Sequence, residues 1–297
     1  MSSIKHKNIP REDKNVIRGG VLYLVATPIG NLSDMSERAL KVLREVDLIA
    51  AEDTRNTGKL LAYFEISKPM ISYFEHNKRE RGEAIVAKLK EGQSCALVTD
   101  AGTPAISDPG EDLVRLCAEN GLTVTSIPGC CAVVNALALS ALPTGRFCFE
   151  GFLSTNRGER YERLTEIKND TRTTIFYEAP HKLKKTLSDL LEILGDRKIS
   201  LCRELTKLNE EVIRTTISGA IAYYEQNEVR GEFVLVVEGA SKEELVASEF
   251  WSNMTIEEHL EHYISSGIKK MDAIKSVAKD RNMPKNEVYK IVNIENK

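Results

Sequence analysis

The chain has 297 residues, with 41 Lys and Arg against 44 Asp and Glu, 42% hydrophobic and 29% charged. This balance fits one large or two ordinary soluble domains and excludes collagen, long coiled coil and wholesale disorder. With a net charge of −3, any nucleic-acid partner must be held by local basic patches and not by the field of the whole molecule.

The first 19 residues read as a flexible basic tail, carrying Lys5, Lys7, Arg11, Lys14 and Arg18 against Glu12 and Asp13. No stretch approaches the ~18 uninterrupted apolar residues of a spanning helix, and residues 2–20 are polar where a signal peptide is apolar. A cytoplasmic protein with no membrane partner is expected. From Val21, short β-branched runs alternate with helical patterns, as βα units around a largely parallel sheet do. Strands are predicted at 21–26, 48–51, 70–73, 95–99 and 123–127, with helices over 38–46 and 81–90. In the second of these helices Ile85, Val86 and Leu89 share a face, and Gly92 stands where a C-cap belongs.

The turn-rich Leu142-Pro143-Thr144-Gly145 marks a boundary between an N-terminal α/β lobe (20–143) and a C-terminal one (144–242). The second lobe shows a charged helix near 157–168 and a strand at 173–177. A leucine-rich helix through Leu183, Leu187, Leu190, Leu191 and Leu194 follows, with Pro180 in its first turn. Further strands are expected at 199–203, 212–217 and 233–238. Residues 243–297 lose all strand character. Helices over 257–265, 271–280 and 285–292 predict a small helical appendage, with seven basic side chains between 269 and 290. Packing, dimerisation and nucleic-acid binding are all open to such a helical hairpin. The six cysteines form no CxxC and read as reduced thiols; His259 and His262 lack a third ligand, so no metal is expected.

No GxGxxG follows the first strand and no GxxxxGK[ST] occurs, so the usual dinucleotide and P-loop readings have no support. The first strand runs instead into Ala26-Thr27-Pro28-Ile29-Gly30-Asn31-Leu32, a stiffened turn at a strand's carboxyl end, where open sheets bind ligands. The fourth runs into Thr99-Asp100-Ala101-Gly102-Thr103-Pro104-Ala105-Ile106-Ser107-Asp108-Pro109-Gly110. This loop is longer than a connection needs and reads as a surface shaped for a ligand, with Asp108 also placed to cap the next helix. A third loop, Ile127-Pro128-Gly129-Cys130-Cys131-Ala132, opens a helix of small residues over 133–141. In the second lobe, Phe176-Tyr177-Glu178-Ala179-Pro180-His181, Arg203-Glu204-Leu205-Thr206-Lys207 and Gly231-Glu232 place acids and bases at strand ends beside a cleft.

Five stretches, Leu24–Leu32, Ala51-Glu52-Asp53-Thr54-Arg55, Asp100–Gly110, Phe176–His181 and Gly231-Glu232, resemble in order and spacing the bacterial small-subunit ribosomal RNA 2′-O-ribose methyltransferases of the tetrapyrrole methylase superfamily, over residues 20 to 295. The resemblance implies a two-lobed α/β fold of the class III methyltransferase kind, usually homodimeric. It further implies S-adenosylmethionine bound in the cleft and a cytidine ribose of small-subunit ribosomal RNA, free or in the assembled subunit, as acceptor. Carried over by position, the cofactor contacts are Pro28, Ile29, Gly30, Asp100, Gly102, Thr103, Pro104, Ile106, Gly129, Cys130, Cys131, Ala132 and Tyr177. The family commonly has proline and serine where this chain has Cys130 and Cys131, and a thiol bonds a cofactor more weakly than a hydroxyl.

A sulfonium is cationic, so carbonyl-rich loops favour it where a helix N-terminus would repel it. A ribose hydroxyl is a poor nucleophile and needs an acceptor for its proton nearby. The carboxylates placed for this are Asp53, beside Arg55, and Glu178 or Glu204 across the cleft, and no single base is assigned. Arg55 and Arg203 are candidates for phosphate contacts, as are Lys269 and Lys270 of the appendage. Glu52–Arg55 and Arg203–Glu204 read equally well as ion pairs closing the lobes. A methylase of a tetrapyrrole or other small metabolite, and a non-catalytic RNA-binding regulator with a retained pocket, are the alternatives.

Overall fold

The protein is described here from a computed structural model covering residues 16–241, 245 and 250–294; most of the basic tail expected over 1–19 lies outside the described residues. The first sheet is built from β1 (Val21–Val25), β2 (Leu48–Ala51), β3 (Met70–Ser72), β4 (Cys95–Val98) and β5 (Thr123–Ile127). The strands are parallel and run in the order β3-β2-β4-β1-β5. β2 and β4 are buried throughout, so each reads as a continuous apolar run. Helices α1 (Glu37–Glu45) and α2 (Thr54–Tyr63) cover one face, where Ala39, Val42, Leu43 and Leu61 pack with Val25, Ile49 and Val98. On the other face α3 (Lys78–Lys90) and α4 (Gly110–Glu119) bring Ile85, Leu89, Leu113 and Cys117 against Leu22, Ala50 and Leu97. The chain therefore leaves β1 toward one face and its neighbour β4 toward the other. Such a switch of direction between neighbouring strands is where an open sheet forms a crevice at its carboxyl edge.

A further helix, α5 (Ala132–Leu139), follows β5. The second sheet contains β6 (Phe147–Phe152), β7 (Thr173–Glu178), β8 (Lys198–Arg203), β9 (Glu211–Thr216) and β10 (Phe233–Val237), in the order β6-β7-β10-β8-β9. The expectation of a largely parallel arrangement fails here: β6 and β7 are parallel, and β7–β10, β10–β8 and β8–β9 are all antiparallel. For β8 and β9 the cause is local, since residues 204–210 join them with no crossover helix; the antiparallel seating of β10 between β7 and β8 is a long-range pairing. Val133, Ala136 and Leu137 of α5 pack against Ile175, Cys202, Val234 and Val236, so this helix of the first half lines the interior of the second. Helices α6 (Arg157–Ile167), α7 (Leu183–Leu194) and α8 (Ile217–Gln226) complete this half. Arg160 of α6 is buried, its Nε 2.6 Å from Asp189 Oδ2 on α7, while its Nη1 donates to the Ser154 carbonyl at 2.8 Å.

Other local readings are corrected. Pro180 precedes α7 in a turn closed by Lys182 N–H to Ala179 O, and Ile217 opens α8 in place of ending a strand. β6 was not anticipated, because a bulge between Phe149 and Gly151, with Gly151 at φ +66°, breaks its alternation. Gly92 does stand just past α3, at φ +91°.

Two compact units emerge from the contact pattern. Met1–Thr165 with Arg172–Glu238 holds both sheets, and Glu166–Thr171 with Gly239–Lys297 forms a helical unit. In the latter, α9 (Ile256–Ser265) starts with a reciprocal Thr255/Glu258 capping box, and α10 (Lys270–Asp280) and α11 (Lys285–Ile294) follow. Leu260, Ile274, Val277, Val288 and Val292 form the core of this unit. No helix among the described residues is long and apolar enough to cross a membrane.

Candidate active site

The loops after β1 and β4 are fastened to each other. Thr27 and Gly102 exchange both backbone hydrogen bonds, at 2.9 and 3.0 Å, and the Thr27 hydroxyl donates to the Thr99 carbonyl. Gly102 sits at φ +85°, which a side chain would strain. The rest of the β4 loop folds around Asp108, whose carboxylate accepts from the backbone N–H of Ala105, Ile106 and Gly110 at 2.7–3.3 Å. Burial pushes the Asp108 carboxyl up, against the lowering effect of those three bonds. Asp108 thus ties the end of the loop to Gly110, the first residue of α4, while Pro109 and not Asp108 holds the N-cap position; Ala105 and Ser107 take positive φ in this stretch. The third loop is tied in by Thr103, whose hydroxyl donates to Cys130 O at 2.9 Å. At Gly129 a Cβ would lie 2.8 Å from that of Ala26, so only glycine lets the two loops approach this closely.

Opposite these loops, strand ends of the second sheet supply Tyr177, Glu178, Glu204, Lys207 and Glu232. The Tyr177 ring packs edge-on against Phe149 and tilted against Phe152, and burial raises its hydroxyl to about 12. Glu178 is buried and saturated: it accepts from the Thr186 hydroxyl at 2.5 Å and from Ala179 N–H at 2.9 Å, with Lys182 Nζ 3.5 Å away. Glu204 Oε1 accepts from Lys207 Nζ at 2.8 Å and from Glu232 N–H at 2.9 Å. Lys207 Nζ also donates to Glu232 Oε2 at 2.9 Å. Burial alone would raise the Glu204 carboxyl, but the Lys207 and Glu232 hydrogen bonds and the charges of Lys207 and Arg203 bring it below the usual range.

Between the two sets lies a cavity of ≈ 400 Å³, within the roughly 300–1,000 Å³ of small-molecule sites. Of the residues singled out in the sequence, Ile29, Gly102, Thr103, Ile106, Cys131, Ala132, Tyr177, Glu178 and Glu204 line it. Pro28, Gly30 and Asp100 line a neighbouring cavity instead. Pro104, Gly129 and Cys130 belong to neither lining, and the last two shape the third loop. Asp53 and Arg55 also lie outside both: Asp53 caps α2, and its carboxylate chelates the exposed Arg55 guanidinium, whose hydrogen bonds bring it down to about 2. Arg203 pairs with Glu211 at 3.1 Å. Lys269 and Lys270 are exposed at the start of α10, in the helical unit. Sequence reasoning passed over Phe152, Lys207 and Glu232 as site residues. Lys207 and Glu232 stood inside motifs it had marked, whereas Phe152 was hidden with β6.

The cavity suits S-adenosylmethionine. Its walls are largely apolar, and of its three carboxylates Glu178 is balanced by Lys182 while Glu204 and Glu232 share the single ammonium of Lys207, which leaves one negative charge in excess. This excess of negative charge favours a sulfonium cation. The sequence profile of the tetrapyrrole (corrin/porphyrin) methylases matches residues 21–221. Among solved structures, the uroporphyrin-III C-methyltransferase of Thermus thermophilus superposes with a TM-score of 0.54 at 18% identity, covering 74% of this chain and 94% of that one. A cobalt precorrin-4 methyltransferase gives 0.55, with 78% and 98% covered. A structure of the uroporphyrin-III enzyme holds S-adenosylhomocysteine. Fold and family match together define an S-adenosylmethionine-dependent methyltransferase.

Similarity extends further along the chain in a narrower group. The protein of Bacillus subtilis named ribosomal RNA small subunit methyltransferase I is 51% identical over 271 residues, covering 91% of this chain and 93% of that one. The protein of the same name from Synechocystis is 47% identical, covering 92% and 97%. The chain belongs to the tetrapyrrole methylase family and, within it, to the ribosomal RNA small subunit methyltransferase I group.

Proposed function

We propose that the chain methylates the 2′-hydroxyl of a cytidine ribose in small-subunit ribosomal RNA, by in-line transfer within the ≈ 400 Å³ cavity. The observation that carries this reading is the near full-length similarity to proteins named for that RNA, joined to a cavity whose charge suits the methyl donor. In this reading Ile29, Gly102, Thr103, Ile106, Cys131, Ala132 and Tyr177 hold the cofactor, which supplies an electrophilic methyl group on a sulfonium. Pro104, Gly129 and Cys130 shape the loops around it.

Of the four candidate carboxylate and guanidinium groups, Glu204 is best placed to face the acceptor. Its Oε1 is occupied by Lys207 and Glu232, which leaves Oε2 to accept from the ribose hydroxyl. A carboxylate held below its usual range is a weak base, so its work is to orient the O–H, with the proton passing to solvent as the oxygen–carbon bond forms and the carbon–sulfur bond breaks. Glu178, with its oxygens already engaged, fixes the turn that follows Tyr177. Asp53 orients Arg55 toward phosphate, and Lys269 and Lys270 add phosphate contacts from the helical unit. Arg203, paired with Glu211, is assigned a supporting role beside Glu204. A cytoplasmic homodimer acting on free RNA or on the assembled subunit completes the proposal.

The test is methyl incorporation from labelled S-adenosylmethionine into small subunits, free ribosomal RNA and a tetrapyrrole acceptor, with the product digested in alkali. A 2′-O-methyl group protects its phosphodiester, so the label is expected in an alkali-stable cytidine dinucleotide. Label in a base, in the tetrapyrrole or nowhere refutes the reading.

A further inference from the structure

A second cavity of ≈ 360 Å³ adjoins the first at the carboxyl edge of the parallel sheet. The partition is a few residues of chain: Ile29 and Ala101 face the cofactor cavity, while their neighbours Pro28, Gly30 and Asp100 line the second. Its other wall is α2, where Asn56, Lys59, Leu60 and Tyr63 recur at three- and four-residue intervals along one helix face. These side chains lie apart from the buried residues of α2, which are Leu61 and Thr57, the latter also bordering the cavity. Tyr63 is 64% exposed and touches Phe64 edge-to-face, so a broad ring surface stays open. Asn56 Nδ2 donates to Asp100 Oδ2 at 3.3 Å. That contact fixes the amide orientation, because an amide oxygen turned toward the carboxylate would be repelled.

The pair therefore offers, side by side, a carboxylate acceptor and an amide N–H donor. The complement is an amino group next to a ring-nitrogen acceptor, an edge that cytosine shares with adenine and that uracil lacks; of these, cytosine is the base of the proposed acceptor. Uracil presents the opposite order, a carbonyl beside an N–H, and its O4 would meet the carboxylate. Sliding the base by one group to escape that clash is prevented if the ribose is held for in-line transfer. Desolvation, with Glu52 and Asp53 nearby, raises the Asp100 carboxyl somewhat, which marks a site where acidic groups crowd and a donor is welcome.

We propose that this second cavity receives the acceptor base, Tyr63 stacking on its face while Asp100 and Asn56 pair with the amino group and ring nitrogen of cytosine. Lys59, exposed on the same helix face, is placed for the adjoining phosphate. The inference rests on the reading of the chain as a ribosomal RNA methyltransferase. It moves Asp100 from the cofactor, where the family resemblance put it, to the acceptor.

The experiment compares small subunits carrying the mapped target cytidine with subunits carrying uridine there, for the wild type, Asp100→Asn and Tyr63→Ala, with S-adenosylmethionine affinity measured by calorimetry. Asp100→Asn can turn an amide N–H toward uracil O4, so the cytidine-to-uridine ratio of kcat/KM is expected to fall by about tenfold or more, with cofactor affinity within about twofold of wild type. Tyr63→Ala is expected to raise KM for the subunit by about tenfold, again at constant cofactor affinity. An unchanged ratio for Asp100→Asn, or a loss of cofactor affinity that parallels its loss of activity, overturns the assignment. If Asp100→Asn is inactive on both acceptors, Tyr63→Ala decides: an unchanged KM rejects the pocket. Failure of the wild type to label the subunit at all would instead reject the proposed function.

Discussion

Gly30 stands where the loop after β1 meets the loop after β8. A Cβ built on it falls 2.3 Å from Lys207 Cγ and 3.1 Å from Thr206 Oγ1. Lys207 cannot simply swing away, because its ammonium is held at 2.8 Å by Glu204 and at 2.9 Å by Glu232. Gly30→Ala therefore forces the lysine off its rotamer, at about 0.5–1.5 kcal/mol. The same movement breaks two partly exposed ion pairs worth about 0.2–1 kcal/mol each. Alanine also meets strain at the φ of +153°, about 1–3 kcal/mol more. The single substitution is expected to destabilise by about 2–6 kcal/mol in total. Lys207→Ala alone loses only the ion pairs. In the double variant the clash is gone and the backbone strain stays, so the pair should be less destabilised than the sum of the singles by about 1–3 kcal/mol. Urea unfolding of the four proteins measures this coupling. Additivity within about 0.5 kcal/mol would show that the two loops do not press on each other as described.

Four further outcomes are expected. Asp189→Ala strands the buried Arg160 guanidinium and should cost about 3–5 kcal/mol in urea unfolding, whereas replacing both residues by leucine and methionine should cost much less. Glu204 is held below its usual pKa, so its ionised form, and the stability this confers, is lost as pH falls through that lowered value. Lys207→Met removes one of the lowering bonds, and the acid limb of kcat/KM should move to higher pH; an unmoved limb dissociates Glu204 from the reaction. Substituting Lys269 and Lys270 together by Gln should lower the slope of log K for RNA against log salt by about 1–2, leaving cofactor affinity intact. Cys131 lines the cofactor cavity, and saturating S-adenosylmethionine should slow its alkylation, read by peptide mass spectrometry, while the buried Cys95 and Cys117 stay unlabelled throughout.

Much of this architecture is legible in the chain because its signals are local. β2 and β4 are four-residue apolar runs with both faces covered, and composition places β2 to the residue and β4 to within one residue at its end. The loops after β1, β4 and β5 announce themselves through proline, glycine and aspartate, and most of the cofactor cavity's first-sheet wall comes from them. What escapes depends on long-range pairing. Nothing local tells β10 to run antiparallel between β7 and β8, and the bulge at Gly151 conceals β6 and with it Phe152. Glu178 shows the same limit at a site: its position at a strand end reads as catalytic, yet the Thr186 hydroxyl and Ala179 N–H that occupy its oxygens come from the fold. Likewise Asp100 and Ala101 are adjacent in sequence and belong to different cavities, a division set by the side to which each residue turns.

Helix α5 precedes every strand of the second sheet in the chain, yet Val133, Ala136 and Leu137 are part of that sheet's interior. Of that cluster only Ile29 and the adjoining Cys131 come from the chain made before α5, so the helix gains most of its packing partners when β7, β8 and β10 are in place. A polypeptide cut near residue 143 should yield two pieces that are each poorly soluble and that recover together when mixed. The third loop is the tether between a finished sheet and an unfinished one, and the ≈ 400 Å³ cavity, lined from both sheets, can close only after both have been made.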